Sequence, residues 1–342
     1  MNQEFITALA EIAEDKNISK ESLLETIEFA LITAYKKNYG HAQNVVVNID
    51  KETGEIKVYQ QKTVVETVED ANIELSVSEA AEISGKYSVG DVVSFEVTPK
   101  TFGRIAAQTA KQVVVQRIKE AERDKVFTIY RDRENSMVTG LITKLESRFV
   151  VVEIGNNTEA ILPNNEQIPG ETYKPGTRMK FYVAEVKLSG NNPQIVLSRT
   201  HPGLVKKLFE QEVPECESGV VEIKSISREA GSRTKISVCS QDENVDAVGA
   251  CVGPRGARVQ VVCDELGGEK IDIIRYSEDP AAFISAALSP SDVVSCTVDE
   301  EEHSAKVLVP AGQLSLAIGK EGQNARLAAK LTGWKIDIKP EE

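Results

Sequence analysis

Leu316-Ala317-Ile318-Gly319-Lys320-Glu321-Gly322 is an apolar helical stretch cut by two glycines three positions apart, and the same device stands 66 residues earlier at Gly253-Pro254-Arg255-Gly256. In each copy a helix breaks at the Gly-x-x-Gly turn and a second helix follows. A further glycine stands eleven positions after each turn, at Gly267 and Gly333, and Lys-Ile-Asp-Ile follows at Lys270–Ile273 and Lys335–Ile338. One copy is within reach of chance, but two aligned copies mark a duplicated module.

The residue types have a physical reason. Glycine reaches backbone angles closed to other residues and has no Cβ, so a phosphodiester chain can approach the main chain closely. The first turn of the following helix offers unpaired N–H groups and the positive end of a dipole. Arg255 and Arg258 in the first copy, and Lys320, Arg326 and Lys330 in the second, add local positive charge. The arrangement resembles the KH module, whose Gly-x-x-Gly loop clamps about four nucleotides. The plain alternative, a tight helix–helix turn, accounts readily for a single copy and less well for the repeat with its trailing strand.

Composition bounds the rest. A length of 342 residues fits two to four domains on the usual size range. Hydrophobic content of 41% and charged content of 27% are those of a soluble globular chain. No apolar run approaches the length of a membrane span, and Met1-Asn2-Gln3-Glu4 does not begin a secretory signal. A cytoplasmic location is expected. The five cysteines (216, 239, 251, 263, 296) lack Cys-x-x-Cys spacing and read as reduced structural thiols.

Net charge is −13, with no basic region to offset it: residues 1–131 hold 16 basic and 21 acidic side chains, 132–200 hold eight of each, and 201–342 hold 16 and 24. Nucleic-acid contacts must therefore be local, with a shallow salt dependence. A broad sequence-independent DNA binder is disfavoured.

Phe5, Leu9 and Ile12 recur at helical spacing, and a second helix follows Ser19 with Leu23, Leu24, Ile27, Leu31 and Tyr35, Ser22 and Glu25 fitting a capping box. Val45, Val47 and Ile49 alternate into Thr53-Gly54, and Ile56 and Val58 return, as in a hairpin. Val92–Val97 reads as a strand. After Gly103 a long helix runs to about Asp132, and because Thr109 and Gln116 interrupt its apolar stripe it reads as connector more than core. This first α+β region shows no chemistry and is expected to bind protein; Arg104 and Lys111 on the long helix are candidate contacts, with a solvated helix face as the alternative.

From Met137 to Thr200 the pattern changes to five short strands, Met137–Lys144, Phe149–Ile154, Glu159–Leu162, Met179–Val186 and Ile195–Ser198, between turns at Gly155-Asn156-Asn157, Pro175-Gly176 and Gly190-Asn191-Asn192-Pro193. Five such strands suggest an OB-type barrel. These barrels stack bases on aromatic side chains beside basic groups, and Phe149 beside Arg148 is the candidate pair; a core phenylalanine is the alternative. Phe181 and Tyr182 point to opposite faces of one strand, so one of them is expected in the core.

Gly140 through Ser198, with Thr158-Glu159-Ala160-Ile161-Leu162-Pro163 and Leu197-Ser198-Arg199-Thr200, resembles an S1 domain. It follows a region containing Phe102-Gly103-Arg104-Ile105-Ala106-Ala107-Gln108-Thr109-Ala110-Lys111-Gln112 and precedes the two KH modules. That order and that segment resemble the NusA family of bacterial transcription elongation and termination factors, across essentially the whole chain. The resemblance implies a multidomain α+β protein: an N-terminal domain with a long linking helix (1–131) docking on RNA polymerase core near the RNA exit channel, an OB-fold S1 barrel (132–200), and two tandem bacterial-type, type II KH domains (201–277 and 278–342). The S1-KH-KH part would hold nascent single-stranded RNA, with Gly253–Gly256 and Gly319–Gly322 as backbone clamps, promoting pausing and hairpin-dependent termination and taking part in antitermination complexes with other elongation factors. Phe149 falls where S1 domains keep a stacking aromatic. Glu146 replaces a second frequent aromatic and Pro163 a frequent histidine, and these departures count against base stacking here. The acidic repeats that extend some family members past the second KH are expected to be missing, with any regulation that depends on them, since the sequence ends at Glu342.

The order of elements gives the KH subtype: helix, strand, strand, helix, turn, helix, strand over 204–276 and again over 280–338. The seam at Asp279-Pro280 is short, so the pair is expected to pack as one rigid unit with a continuous RNA track. A monomer is expected, without a membrane.

An enzyme is the first rival. Gly312 and Gly319-Lys320 faintly suggest a nucleotide loop, but six residues separate the glycines instead of four, and Glu321 stands where magnesium needs a hydroxyl. His41, His201 and His303 have no partners at metal-ligand or triad spacing. No catalytic residue, metal or cofactor is expected. The second rival is a ribosome- or RNA-decay-associated single-stranded-RNA-binding protein; decay enzymes with these modules place KH before S1 and attach a catalytic core, and this chain does neither.

Overall fold

The computed structural model of the chain describes residues 3–16, 18–40, 44–155, 157–190 and 192–341; His41, Asn156, Asn191 and Glu342 lie outside them. The chain divides between Val126 and Phe127 into two units, each with its own core.

The first unit opens with α1 (Gln3–Lys16) and α2 (Lys20–Tyr39). The buried stripe of α1 is Ile6, Leu9 and Ala13, while Phe5 and Ile12 pack only partly against the core. Ser19, not Ser22, caps α2, accepting from the Ser22 N–H at 3.3 Å. The capping box lies instead at Ser76 and Glu79, in a helix the sequence pattern does not reveal. The hairpin forms as expected, β1 (Val45–Ile49) pairing antiparallel with β2 (Ile56–Val65). β3 (Glu74–Ser76), α3 (Val77–Ile83) and β4 (Val92–Glu96) complete the sheet, with β3 parallel and β4 antiparallel to β2.

α4 (Phe102–Arg131) corrects the connector reading. Phe102, Ala106, Ala110 and Val114 are buried among Leu23, Ile27, Leu31 and Tyr35. Spaced four apart, they form an i, i+4 stripe along one face. Half of it is alanine, small enough for close helix packing and too weakly apolar to stand out in the sequence.

In the second unit, β5 (Met137–Leu145), β6 (Phe149–Glu153), β7 (Glu159–Pro163), β8 (Arg178–Ser189) and β9 (Asn192–Ser198) close into a barrel of order β5-β6-β7-β9-β8. The end of α4 is anchored to it: Tyr130 is buried, and its hydroxyl donates to the Ile154 carbonyl at 3.1 Å. Phe181 is buried as expected, but so is Tyr182 on the opposite face, because a second core covers the outside of β8.

That second core belongs to α5 (Pro202–Glu212), α6 (Pro214–Glu217), β10 (Val221–Glu229), β11 (Arg233–Ser240), α7 (Ala247–Val252), α8 (Ala257–Glu265) and β12 (Lys270–Arg275). The second copy follows with α9 (Pro280–Ala287), β13 (Ser295–Asp299), β14 (Ser304–Val309), α10 (Leu314–Ile318), α11 (Gln323–Thr332) and β15 (Lys335–Pro340). In both, the middle strand pairs antiparallel with the first and parallel with the last, and the first lysine of each Lys-Ile-Asp-Ile opens its last strand opposite Arg233 or Ser304. The copies touch: Ile274 of β12 sits in the core of the second copy, the Ser225 hydroxyl donates to the Leu331 carbonyl at 3.0 Å, and Lys235 donates to the Ser289 carbonyl at 2.7 Å.

Buried ion pairs join barrel and first copy. Arg199, fully buried just after β9, bonds the Glu171 carboxylate of the barrel, the Glu265 carboxylate at 3.0 Å and the Glu265 carbonyl at 2.8 Å. Glu265 ends α8, so a cation sits on a carbonyl at the negative end of the helix that starts at the first Gly-x-x-Gly loop. Beside it, Tyr182 stacks on His201 with ring centroids 4.4 Å apart, and the His201 Nδ1 caps α5 by accepting from the Gly203 N–H.

Candidate nucleic-acid interface

The two loops are the same object built twice. Gly253 (φ 74°, ψ 175°) and Gly319 (φ 77°, ψ 171°) close α7 and α10. A single 3-10 turn follows, in which Arg255 (φ 54°) and Glu321 (φ 53°) are left-handed. Gly256 (φ 79°) and Gly322 (φ 76°) then start α8 and α11. The angles of Gly253 and Gly319 fall in a region essentially reserved for glycine. His201, Asp246 and Asp279 side chains cap α5, α7 and α9, whereas α8 and α11 have no side-chain cap. The amino ends behind the loops are thus left without a side-chain acceptor, as a phosphate site requires.

Around this frame the charges are unequal. Pro254, Arg255, Lys320 and Glu321 are exposed at the loop tips. Arg258 is turned back: it donates to the Ala250 carbonyl at 2.7 Å and pairs with Glu215 at 3.0 Å. Its counterpart 66 positions on, Asn324, is buried and donates to the Ala317 and Leu288 carbonyls, both at 3.0 Å. The residue two after the second glycine therefore braces the end of the preceding helix in both copies. Only the tertiary fold reveals this role, although the equal spacing of Arg258 and Asn324 is its sequence signal.

Arg326 is exposed, donates to the Glu321 carbonyl at 2.8 Å, and pairs with Glu229 of the first copy at 2.8 Å. Gln323 reaches the same carboxylate at 2.8 Å and the Ser232 hydroxyl at 2.7 Å. The Arg326 guanidinium, helped by Gln323, holds the Glu229 carboxyl below the usual carboxylate range. Lys330 is exposed on the same helix. The turn between β10 and β11 thus grips the first two turns of α11, a link that neither motif shows.

On the barrel, Phe149 is half-buried at the start of β6, opposite Pro163, and Arg148 is exposed before it. In the first unit Arg104 and Lys111 are both exposed on α4. Lys111 also borders an apolar groove of ≈ 500 Å³ between α1 and α4, where Phe5, Ala8, Ile12 and Val115 contribute.

Gly319→Ala is expected to cost more stability than Gly253→Ala. Both pay the left-handed penalty, about 1–3 kcal/mol. A Cβ on Gly319 would in addition lie 2.7 Å from the backbone nitrogen of Asn324, whereas on Gly253 the close atoms, 2.6–2.9 Å away, belong to the Arg258 side chain, which can yield by giving up its bonds to Ala250 and Glu215. Thermal melts of the two variants check the order.

A five-stranded OB barrel leading into two Gly-x-x-Gly modules defines the S1-KH-KH class, whose parts serve single-stranded nucleic acid. Family models match in four consecutive segments: the NusA N-terminal domain over residues 4–124, the S1 RNA binding domain over 131–198, the NusA-like first KH domain over 199–276 and the NusA-like second KH domain over 280–342. The transcription termination/antitermination protein NusA of Halalkalibacterium halodurans is 56% identical over 341 residues, spanning 100% of this chain and 89% of that relative. Its namesake in Bacillus subtilis is also 56% identical over 341 residues, spanning 100% and 92%. The solution structure of the N-terminal domain of NusA from B. subtilis is 56% identical, covering 36% of this chain and 99% of that one, with a TM-score of 0.34. The chain belongs to the NusA family.

Proposed function

We propose that this chain is a non-catalytic transcription factor that binds RNA polymerase core through its first unit and nascent single-stranded RNA through S1-KH-KH, and so modulates pausing, termination and antitermination. The observation that carries the reading is the doubled loop, two matching backbone traps with uncapped helix starts and exposed cations, in a chain whose net charge disfavours broad electrostatic binding. Gly253–Gly256 and Gly319–Gly322 are the clamps. Arg255 and Lys320 meet phosphate directly, Arg258 braces its loop, and Arg326 and Lys330 flank the second. Arg148 and Phe149 add a weaker barrel contact. Arg104 and Lys111 face polymerase, with the apolar groove beside Lys111 as part of that contact. The domains run 1–131, 132–200, 201–277 and 278–342. The chain works as a cytoplasmic monomer alongside other elongation and antitermination factors; among the described residues no helix is long and apolar enough to cross a membrane.

The test is retention of polymerase core by residues 1–126 and of labelled single-stranded RNA by 127–342. Binding of both partners supports the reading. RNA binding without polymerase, with ribosomal subunits or decay enzymes retained instead, points to an RNA-binding factor of another pathway.

Glu229→Gln gives a second check. Released from its carboxylate, Arg326 is free to neutralise one more phosphate, so the slope of log K against log salt steepens by about 0.7, the increment for one contact on a single strand. In an Arg326→Gln background the same change should leave the slope where it was.

A further inference from the structure

Cys216 and Cys251 are 35 positions apart, yet their Sγ atoms lie 3.7 Å apart in the first KH core. They are 8% and 0% exposed, and both are free thiols. Cys216 belongs to α6, and Cys251 sits in the last turn of α7, two residues before Gly253. The neighbour of Cys216, Glu215, holds Arg258, which in turn holds the Ala250 carbonyl. The pair therefore spans the two segments that brace the first loop.

We propose that Cys216 and Cys251 are a reversible disulfide site, oxidised by a small hydroperoxide, that ties α6 to the end of α7 and weakens RNA capture by the first clamp. A disulfide holds its sulfurs about 2.05 Å apart, against 3.7 Å here, so forming the bond repacks both side chains and pulls on the end of α7, two residues before Gly253. The second clamp is an internal control, because Ala317 occupies the position 66 residues after Cys251.

The chemistry closes without another reactant. The Cys216 thiolate attacks one peroxide oxygen and the O–O bond breaks, leaving a sulfenic acid and hydroxide. The Cys251 sulfur then displaces the hydroxyl from Cys216 and gives up its proton, so that two thiols and one hydrogen peroxide become one disulfide and two waters. Cys216 is the attacking group because it alone of the pair keeps some exposure, and only a small oxidant can reach it. The hydrogen bond from Cys251 favours its thiolate against burial and the nearby Glu215 and Glu210, while the same contact and burial push the Cys251 thiol up.

The full chain is treated with stoichiometric hydrogen peroxide, denatured, alkylated and mapped by mass spectrometry, with RNA affinity measured in parallel. The free-thiol count is expected to fall from five by one pair, with a linked peptide carrying positions 216 and 251, and RNA affinity to drop about three- to tenfold. Dithiothreitol should restore both, and Cys216→Ala should abolish the link. Unchanged thiols, or Cys216 over-oxidised with Cys251 unlinked, overturns the site. The effect on RNA rests on the first loop being a clamp, which Pro254→Asp with Arg255→Asp tests separately. A link that leaves affinity unchanged, in a chain whose binding those substitutions weaken, overturns the switch and spares the clamp.

Discussion

Lys320→Asp together with Glu321→Asp lowers the affinity of the full chain for single-stranded RNA by about tenfold or more, with folding intact. The substitution exchanges a cation for an anion at an exposed loop tip. A unit charge about 4 Å from a phosphate contributes roughly 1 kcal/mol in water and more where water is partly excluded. Reversal costs at least twice that, and about 1.4 kcal/mol is tenfold in affinity. The loop itself should survive, because position 321 is left-handed at φ 53° and aspartate enters that region more readily than most residues. Pro254→Asp with Arg255→Asp is expected to match it at the first clamp. Fluorescence anisotropy gives the affinity and circular dichroism the fold; unchanged affinity in a folded variant removes the second loop from the interface. Both variants should still bind polymerase, which is assigned to the other unit.

Arg199→Met is expected to destabilise the second unit by about 3–5 kcal/mol, because it leaves partners of a buried cation unpaired. The Arg199 side chain is wholly buried, and Glu171 and Glu265 are largely so. Its loss also orphans the Lys180 and Glu265 carbonyls, each bonded at 2.8 Å. For a unit of this size the melting temperature should fall by roughly 10 °C. Adding Glu171→Gln should recover part of the loss by removing one uncompensated charge. A calorimetric change under about 1 kcal/mol would show that the network is not what joins barrel to α8.

Legibility in the sequence follows how local each signal is. The KH elements stand out because a short-range pattern, two glycines and a trailing Lys-Ile-Asp-Ile strand, occurs twice and each copy checks the other. The barrel strands are legible from alternation and turn residues. Tyr182 is not: alternation assigns it a face, but cannot show that another domain covers that face. The core stripe of α4 hides because Ala106 and Ala110 gain their burial from helix packing rather than from their own hydrophobicity. At the site, the loop glycines and tip cations are local. Whether an arginine reaches outward or folds back is decided by residues far along the chain, Glu215 for Arg258 and Glu229 for Arg326. Cys216 and Cys251 are likewise far apart in sequence, and Cys-x-x-Cys spacing could not anticipate their contact.

The most direct measurement is hydrogen exchange by mass spectrometry on the full chain, with and without a saturating single-stranded RNA, read at the loops and first turns of α8 and α11. If the backbone clamps hold phosphate, exchange slows at Gly253–Val259 and at Gly319–Ala325 together, and Lys320→Asp with Glu321→Asp removes the second effect alone. RNA binding that leaves both segments unprotected, with slowing confined to the barrel around Phe149, would contradict the account.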